Sequence, residues 1–85
     1  MATGERIGSI VHFFDRILVA VLRLDKGIRL GDHLHFLGGH TDFDQRIDSM
    51  QVDHRPVEKA EAGTEVAVKL SQPARRGDAV YRISD

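Results

Sequence analysis

The sequence contains no cysteine, no tryptophan and no asparagine, and only two prolines. Without cysteine there is no disulfide framework, no thiolate metal ligand and no thiol nucleophile. The chain does not depend on oxidising conditions, and a cytoplasmic location is the expectation. Without asparagine, the Asn-Lys-x-Asp signature that reads guanine cannot occur. The phosphate-cradling GxxxxGK[ST] loop is missing too, so the chain is not a GTPase by itself. The longest apolar run, ILVAVL at 17–22, is far too short to span a bilayer. The opening MATGERIGS lacks the charged-then-apolar pattern of a signal peptide, and no membrane partner is expected. An excess of one charge is also lacking. Twelve Lys and Arg face 13 Asp and Glu, for a net charge of −1. No global field draws the chain to nucleic acid, so any basic site has to be a local patch.

What is present is an ordinary globular balance: 85 residues, 41% hydrophobic and 29% charged. This suits one small domain over residues 1–85 with a modest core, residues 1–5 being read as a flexible tail. Apolar residues recur at period two. In TEVAVKL (64–70), Val66, Val68 and Leu70 share one face. In HLHF (33–36), Leu34 and Phe36 point inward and His33 and His35 outward. In AVYRIS (79–84), Tyr81 and Ile83 oppose Arg82 and Ser84. Between these runs stand LDKG, LGD, LGG, EAG and RRGD, where glycine supplies positive φ and aspartate caps the turn backbone. The fold class is therefore all-β. The expected architecture is a small closed, mostly antiparallel barrel of about six or seven strands with almost no helix.

Three stretches resist simple alternation. ILVAVLRL (17–24) is apolar on both faces. One reading puts the barrel interior on one side and covering segments on the other; the sharper reading is a surface that docks a partner. In 42–54, Phe43 and Ile47 share one face while Met50 and Val52 share the other. A β-bulge near Asp48–Ser49 brings both sets inward along one long strand; the alternative is two strands separated by a kink. VEKAEA (57–62), between Pro56 and Gly63, reads as a turn or a short 3₁₀ segment.

Residues 33–54 carry the candidate chemistry. His33 and His35 project from one strand face and can offer two imidazoles to a metal, with His40, Asp42 or His54 as a third ligand. No HExxH or other specific spacing supports a resident metal. Asp42, Asp44, Asp48 and Asp53 are dense, but alternating charges also suit a solvated strand that resists edge pairing. Ser9, Ser49, Ser71 and Ser84 stand in no GxSxG elbow. The Arg-Gly-Asp at 76–78 precedes a strand and reads as turn chemistry. No catalytic residue, cofactor or metal is assigned, and the chain is expected not to be an enzyme. A basic set remains: Arg16, Arg23, Lys26 and Arg29, with Arg75, Arg76 and Arg82 near the C-terminus. A solvated face is the simpler reading of these side chains; contact with RNA or with a partner is the functional one.

Read together, IGSIVHFFDRILVAVLRLDKGIRLGDHLHFLG, TDFDQRIDSMQVDHRPVEKAEAGTEVAVKL and RRGDAVYRI resemble the β-barrel second domain of translation factors of the elongation factor Tu and initiation factor two type. The likeness rests on a glycine-led first strand at Gly8 and a Gly27-to-Asp32 step. An Ala62–Gly63–Val66 step and the Gly77–Asp78 turn complete it. It covers about residues 6 to 83. SMQ (49–51) with PVEKAEAG looks most like small stand-alone members, and the chain is also similar to the C-terminal barrel of collagenase-like peptidases. The first resemblance implies a non-catalytic binding module for RNA, the ribosome or a translation-related protein. The second implies an accessory protein-docking domain whose partner supplies a catalytic or GTPase domain.

Overall fold

The computed structural model describes residues 4–83, and they form an all-β, antiparallel domain. Ten strands follow in chain order: β1 (Glu5–Phe14), β2 (Val19–Leu24), β3 (Ile28–Arg29), β4 (His33–Leu37), β5 (Asp42–Arg46), β6 (Met50–Val52), β7 (Arg55–Pro56), β8 (Lys59–Ala60), β9 (Glu65–Lys69) and β10 (Ala79–Ile83). Eight of them make one sheet in the order β5-β4-β10-β1-β2-β9-β6-β7, and β3 pairs with β8 in a small ribbon. No helix occurs among the described residues. Two of the alternating strands are as the sequence requires. Leu34 and Phe36, and Val66 and Val68, are buried and join Ile7, Ile10, Leu22 and Leu24 in one core. The last strand has the opposite phase to that read from AVYRIS: Val80, on the face of Arg82, is buried, while Tyr81 and Ile83 are half-buried. Ser84, expected at the end of the last strand, lies outside the described residues.

Three further expectations need correction. Residue 5 does not belong to a loose tail: Glu5 opens β1 and stands opposite Arg82. The 42–54 region is not one bulged strand but two, β5 and β6, joined by a kink over 47–49. The kink solves the phase conflict, since Phe43, Ile47 and Met50 all reach the core while Val52 packs at its margin. Residues 57–62 form no helical turn; Lys59 and Ala60 are extended and pair with Arg29 and Ile28. Between β6 and β7, Asp53 and His54 both take positive φ (52° and 65°). Such a two-residue loop matches the right-handed twist of its flanking strands.

Nor is the sheet the closed barrel that the sequence leads one to expect. No strand ladder joins the β5 edge to the other side of the sheet among the described residues. The sheet curls until β5 faces the end of β9, and the Gln45 side chain spans the seam. Its Nε2 donates to the Lys69 carbonyl (3.0 Å) and its Oε1 accepts from the Ser71 amide (2.6 Å). A primary amide has the same donor–acceptor pair as a peptide group, so one side chain stands in for a missing stretch of ladder.

Two turns built alike set the strand ends. In Arg29–Asp32 the Asp32 carboxylate accepts from the Arg29 amide (3.0 Å), and the Asp32 amide donates back to the Arg29 carbonyl (3.1 Å). In Arg75–Asp78 the corresponding distances are 2.8 and 3.1 Å. The glycine before each aspartate has positive φ, 92° at Gly31 and 93° at Gly77. Each turn then grips one buried isoleucine by its whole peptide. The Gly31 amide donates to the Ile47 carbonyl and the Ile47 amide to the Asp32 carbonyl. Likewise the Gly77 amide donates to the Ile10 carbonyl and the Ile10 amide to the Asp78 carbonyl. Asp32 leads directly into β4 and Asp78 into β10, which pair with each other.

At both glycines a Cβ would meet open space, so the cost of adding one is conformational alone. Gly31→Ala and Gly77→Ala should each destabilise the domain by about 1–2 kcal/mol, the strain of an L-residue at positive φ. Denaturant unfolding of the two variants checks this; unchanged stability would show that the turns do not need their left-handed residue.

Candidate functional site

Arg16, Arg23, Lys26, Arg29, Arg75 and Arg76 are all exposed. Arg16 lies in the turn between β1 and β2, at one end of β2. Lys26 and Arg29 follow the other end. Arg23 stands on β2 between Ser9 and Glu65 in register. Arg75 and Arg76 belong to the second aspartate-closed turn. Lys26 is already matched, its Nζ lying 2.6 Å from Glu5 Oε2. Arg29 stands directly opposite Lys59 across the β3–β8 ribbon.

Arg82, which the sequence groups with Arg75 and Arg76, is half-buried and tied within the fold. Its guanidinium gathers three distant parts of the chain: Nη2 bonds Glu5 Oε1 (2.9 Å), and Nη1 donates to the Gly27 carbonyl (2.7 Å) and approaches Asp32 Oδ2 (3.5 Å). Glu5 therefore sits between two cations. The Lys26 ammonium, and after it the Arg82 guanidinium, hold its carboxyl below the usual carboxylate range. No local pattern marks such a residue, because its partners lie 50 to 77 positions away along the chain.

His33 and His35 do share the outward face of β4, but both are half-buried rather than freely exposed. Each imidazole faces a carboxylate of β5 on the diagonal of the ladder: His33 Nε2 contacts Asp44, and His35 Nε2 lies 2.7 Å from Asp42 Oδ1. The aspartates of DFD thus serve as cross-strand partners, a familiar way to tie two strands on a solvated face. Among the described residues no group of three or more His, Asp and Glu side chains is placed to hold a metal ion. His40 and His54 lie in separate turns. Asp78 of the Arg-Gly-Asp is buried at 6% exposure and bonded within its turn, so the tripeptide is not displayed as a recognition loop.

The apolar β2 run resolves into two faces. Ala20, Leu22 and Leu24 enter the core, whereas Val19 and Val21 are half-buried on the outside. Beside them, at the hairpin tip, Phe14 is 48% and Ile17 55% exposed. Phe14 stacks on His12, their ring centroids 5.8 Å apart. From Ile17 and Val19 a shallow groove runs across Ala67 and Lys69 to Gln51 and Ser49. No helix among the described residues is long and apolar enough to cross a membrane.

The comparisons with known proteins fit this geometry. No family model matches the chain. It is 35% identical over 80 residues to an uncharacterized protease of Methanocaldococcus jannaschii, covering 93% of this chain and 20% of that protein. It is 27% identical over 85 residues to a collagenase of Porphyromonas gingivalis, again covering 20% of that protein. The chain thus spans about a fifth of the length of the curated relatives it matches. Among solved structures, the C-terminal domain of a putative U32 peptidase from Geobacillus thermoleovorans superposes with a TM-score of 0.88 at 18% identity, over 99% of this chain and 98% of that one. The selenomethionine variant of that domain gives 0.85 at 19% identity, over 91% and 98%.

These findings overturn the kinship with translation factors and the elongation-factor reading drawn from it. The motifs behind that reading, the glycine–aspartate turns and the glycine-led strand, are what a small antiparallel barrel needs to turn its corners. They encode architecture and carry no ribosomal surface with them. The second resemblance is the one that stands: this chain is similar in sequence to one fifth of proteins named protease and collagenase, and it has the fold of a U32 peptidase C-terminal domain.

Proposed function

We propose that this domain is a non-catalytic accessory module that docks, through the apolar strip around Phe14, Ile17 and Val19, onto a larger catalytic body. That body corresponds to the roughly four-fifths of each curated relative that the chain does not match. The observation that carries the reading is the pair of large apolar side chains left exposed at the hairpin tip. A contiguous apolar strip on a small domain is a costly surface unless another surface covers it. Its neighbours Ser49, Gln51 and Lys69 offer a polar margin of the kind that rims protein interfaces. The module's contribution is then positional: it adds a rigid β-surface beside a catalytic centre housed elsewhere.

The test is a chimera in which this chain replaces the matching fifth of the Methanocaldococcus relative. Docking stabilises the bound domain by mass action, so the domain should melt several degrees higher in the chimera than alone. The double variant Phe14→Ser and Ile17→Ser should abolish that gain while leaving the isolated domain's melting temperature almost unchanged, since both side chains are largely exposed. Identical melting of the domain alone and in the chimera would refute docking.

Glu5 supplies a second expectation, about stability. A carboxyl held below its ordinary range in the fold stabilises at pH values above that range, and the contribution is lost as pH falls through the folded value. Glu5→Gln should therefore be less stable than the parent at neutral pH and converge with it in acid. A difference that persists unchanged in acid would mean that Glu5 acts through packing and not through charge.

A further inference from the structure

The β3–β8 ribbon holds two cations in an arrangement that the fold itself does not explain. Arg29 and Lys59 are direct cross-strand partners. Their strand neighbours Ile28 and Ala60 are buried, so both charged side chains are directed outward on the same face. Like charges placed directly opposite one another are destabilising. Neither side chain has a hydrogen bond or ion pair among the described residues, whereas nearby Lys26 and Arg82 are both matched by Glu5. The backbone beneath is fixed. The Arg29 amide is held by Asp32, and the Leu30 amide donates to the Glu58 carbonyl at 2.8 Å, which extends the ribbon by one step. Next to the two cations, Leu30 is 38% exposed and Val57 is only partly buried. Arg29, Lys59, Leu30 and Val57, with Glu58 between the cation pair and Val57 in sequence, line one continuous concave surface.

We propose that this surface is a docking site for an acidic peptide segment. A side-chain carboxylate sits between Arg29 and Lys59, and an aliphatic side chain next to it in the peptide lies on Leu30 and Val57. The carboxylate relieves the repulsion between the two cations and gains charge-assisted hydrogen bonds from both. Charge complementarity also selects the occupant. Exposed Glu58 and Glu61 flank the pair, so a polyanion such as RNA would bring phosphates against carboxylates. A single carboxylate set in an apolar sequence brings one negative charge past Glu58 to the two cations, where a polyanion brings several. The site shares no lining residue with the groove at Ile17, although a third concavity, lined by Leu30, Val57, Ser49 and Gln51, lies between the two.

The experiment is an amide-resolved NMR titration of the whole chain with the peptide acetyl-Gly-Leu-Glu-Leu-Gly-amide. Its twin carries glutamine in place of glutamate, and an oligouridylate is the third probe. The glutamate peptide should shift the amides of Arg29, Leu30, Glu58 and Lys59 at millimolar concentration or below. The glutamine twin should bind at least tenfold more weakly, as should the parent peptide to Arg29→Gln or Lys59→Gln, with the remaining spectrum unchanged. Equal binding of the two peptides, or no shifts in the ribbon at millimolar peptide, would overturn the proposal. Tighter binding of oligouridylate at the same amides would overturn it as well and assign the cations to nucleic acid. The twin peptide needs no altered protein, so the result does not depend on whether a variant folds.

Discussion

Two buried peptide groups, those of Ile10 and Ile47, are each held on both sides by a glycine–aspartate turn. This doubled clamp is the constraint on which the rest of the domain depends. A buried backbone amide or carbonyl without a partner is costly, so a small barrel must find partners for its chain wherever a strand leaves the ladder. Ile47 stands at the kink between β5 and β6, where no strand pairing is available. Ile10 stands one residue past Ser9, where the pairing of β1 with β10 ends. In both places the turn supplies what a neighbouring strand would have supplied. It also aims the next strand: β4 starts one residue after Asp32, and β10 one residue after Asp78.

Closure follows from side chains where ladders stop. Gln45 bridges β5 to the end of β9 through both ends of its amide. Arg82 bridges the last strand to the first strand and to the Gly27 carbonyl. His33 and His35 reach Asp44 and Asp42 on the outward face of the β4–β5 pair. The histidine and aspartate density that first suggested a metal or catalytic loop is therefore spent on holding the outermost strand of the sheet. Beside these ties the described residues leave the apolar tip of the first hairpin exposed and, in the ribbon that follows β2, the Arg29–Lys59 pair.

Much of the fold is legible in the sequence because alternation and turn chemistry are local. Val66 and Val68, or Leu34 and Phe36, need only a period of two, and glycine–aspartate pairs need only their own turn. What stays hidden depends on residues far apart. Ile7 and Ile10 are both buried although three positions separate them, because β1 changes register within that interval. Pro56 and Gly63 look like helix boundaries, yet pairing with β3 draws Lys59 and Ala60 into extended chain. Gln45 and Arg82 read as ordinary surface residues until the curled sheet brings their partners within reach. The basic set shows the same limit from the other side. Composition found the cations, but only the topology separates matched Lys26 from unmatched Arg29. Family resemblance misled for a related reason, since turn motifs shared by small barrels report how a chain bends and not what it binds.

Native-state hydrogen exchange at the amides of Ile10 and Ile47 tests the doubled clamp most directly. If the two turns hold the fold together, both protons exchange only through global unfolding, with the same opening free energy as Val68 in the core. Exchange of either amide by local opening, at the rate of exposed turn residues and with Val68 still protected, would contradict the account.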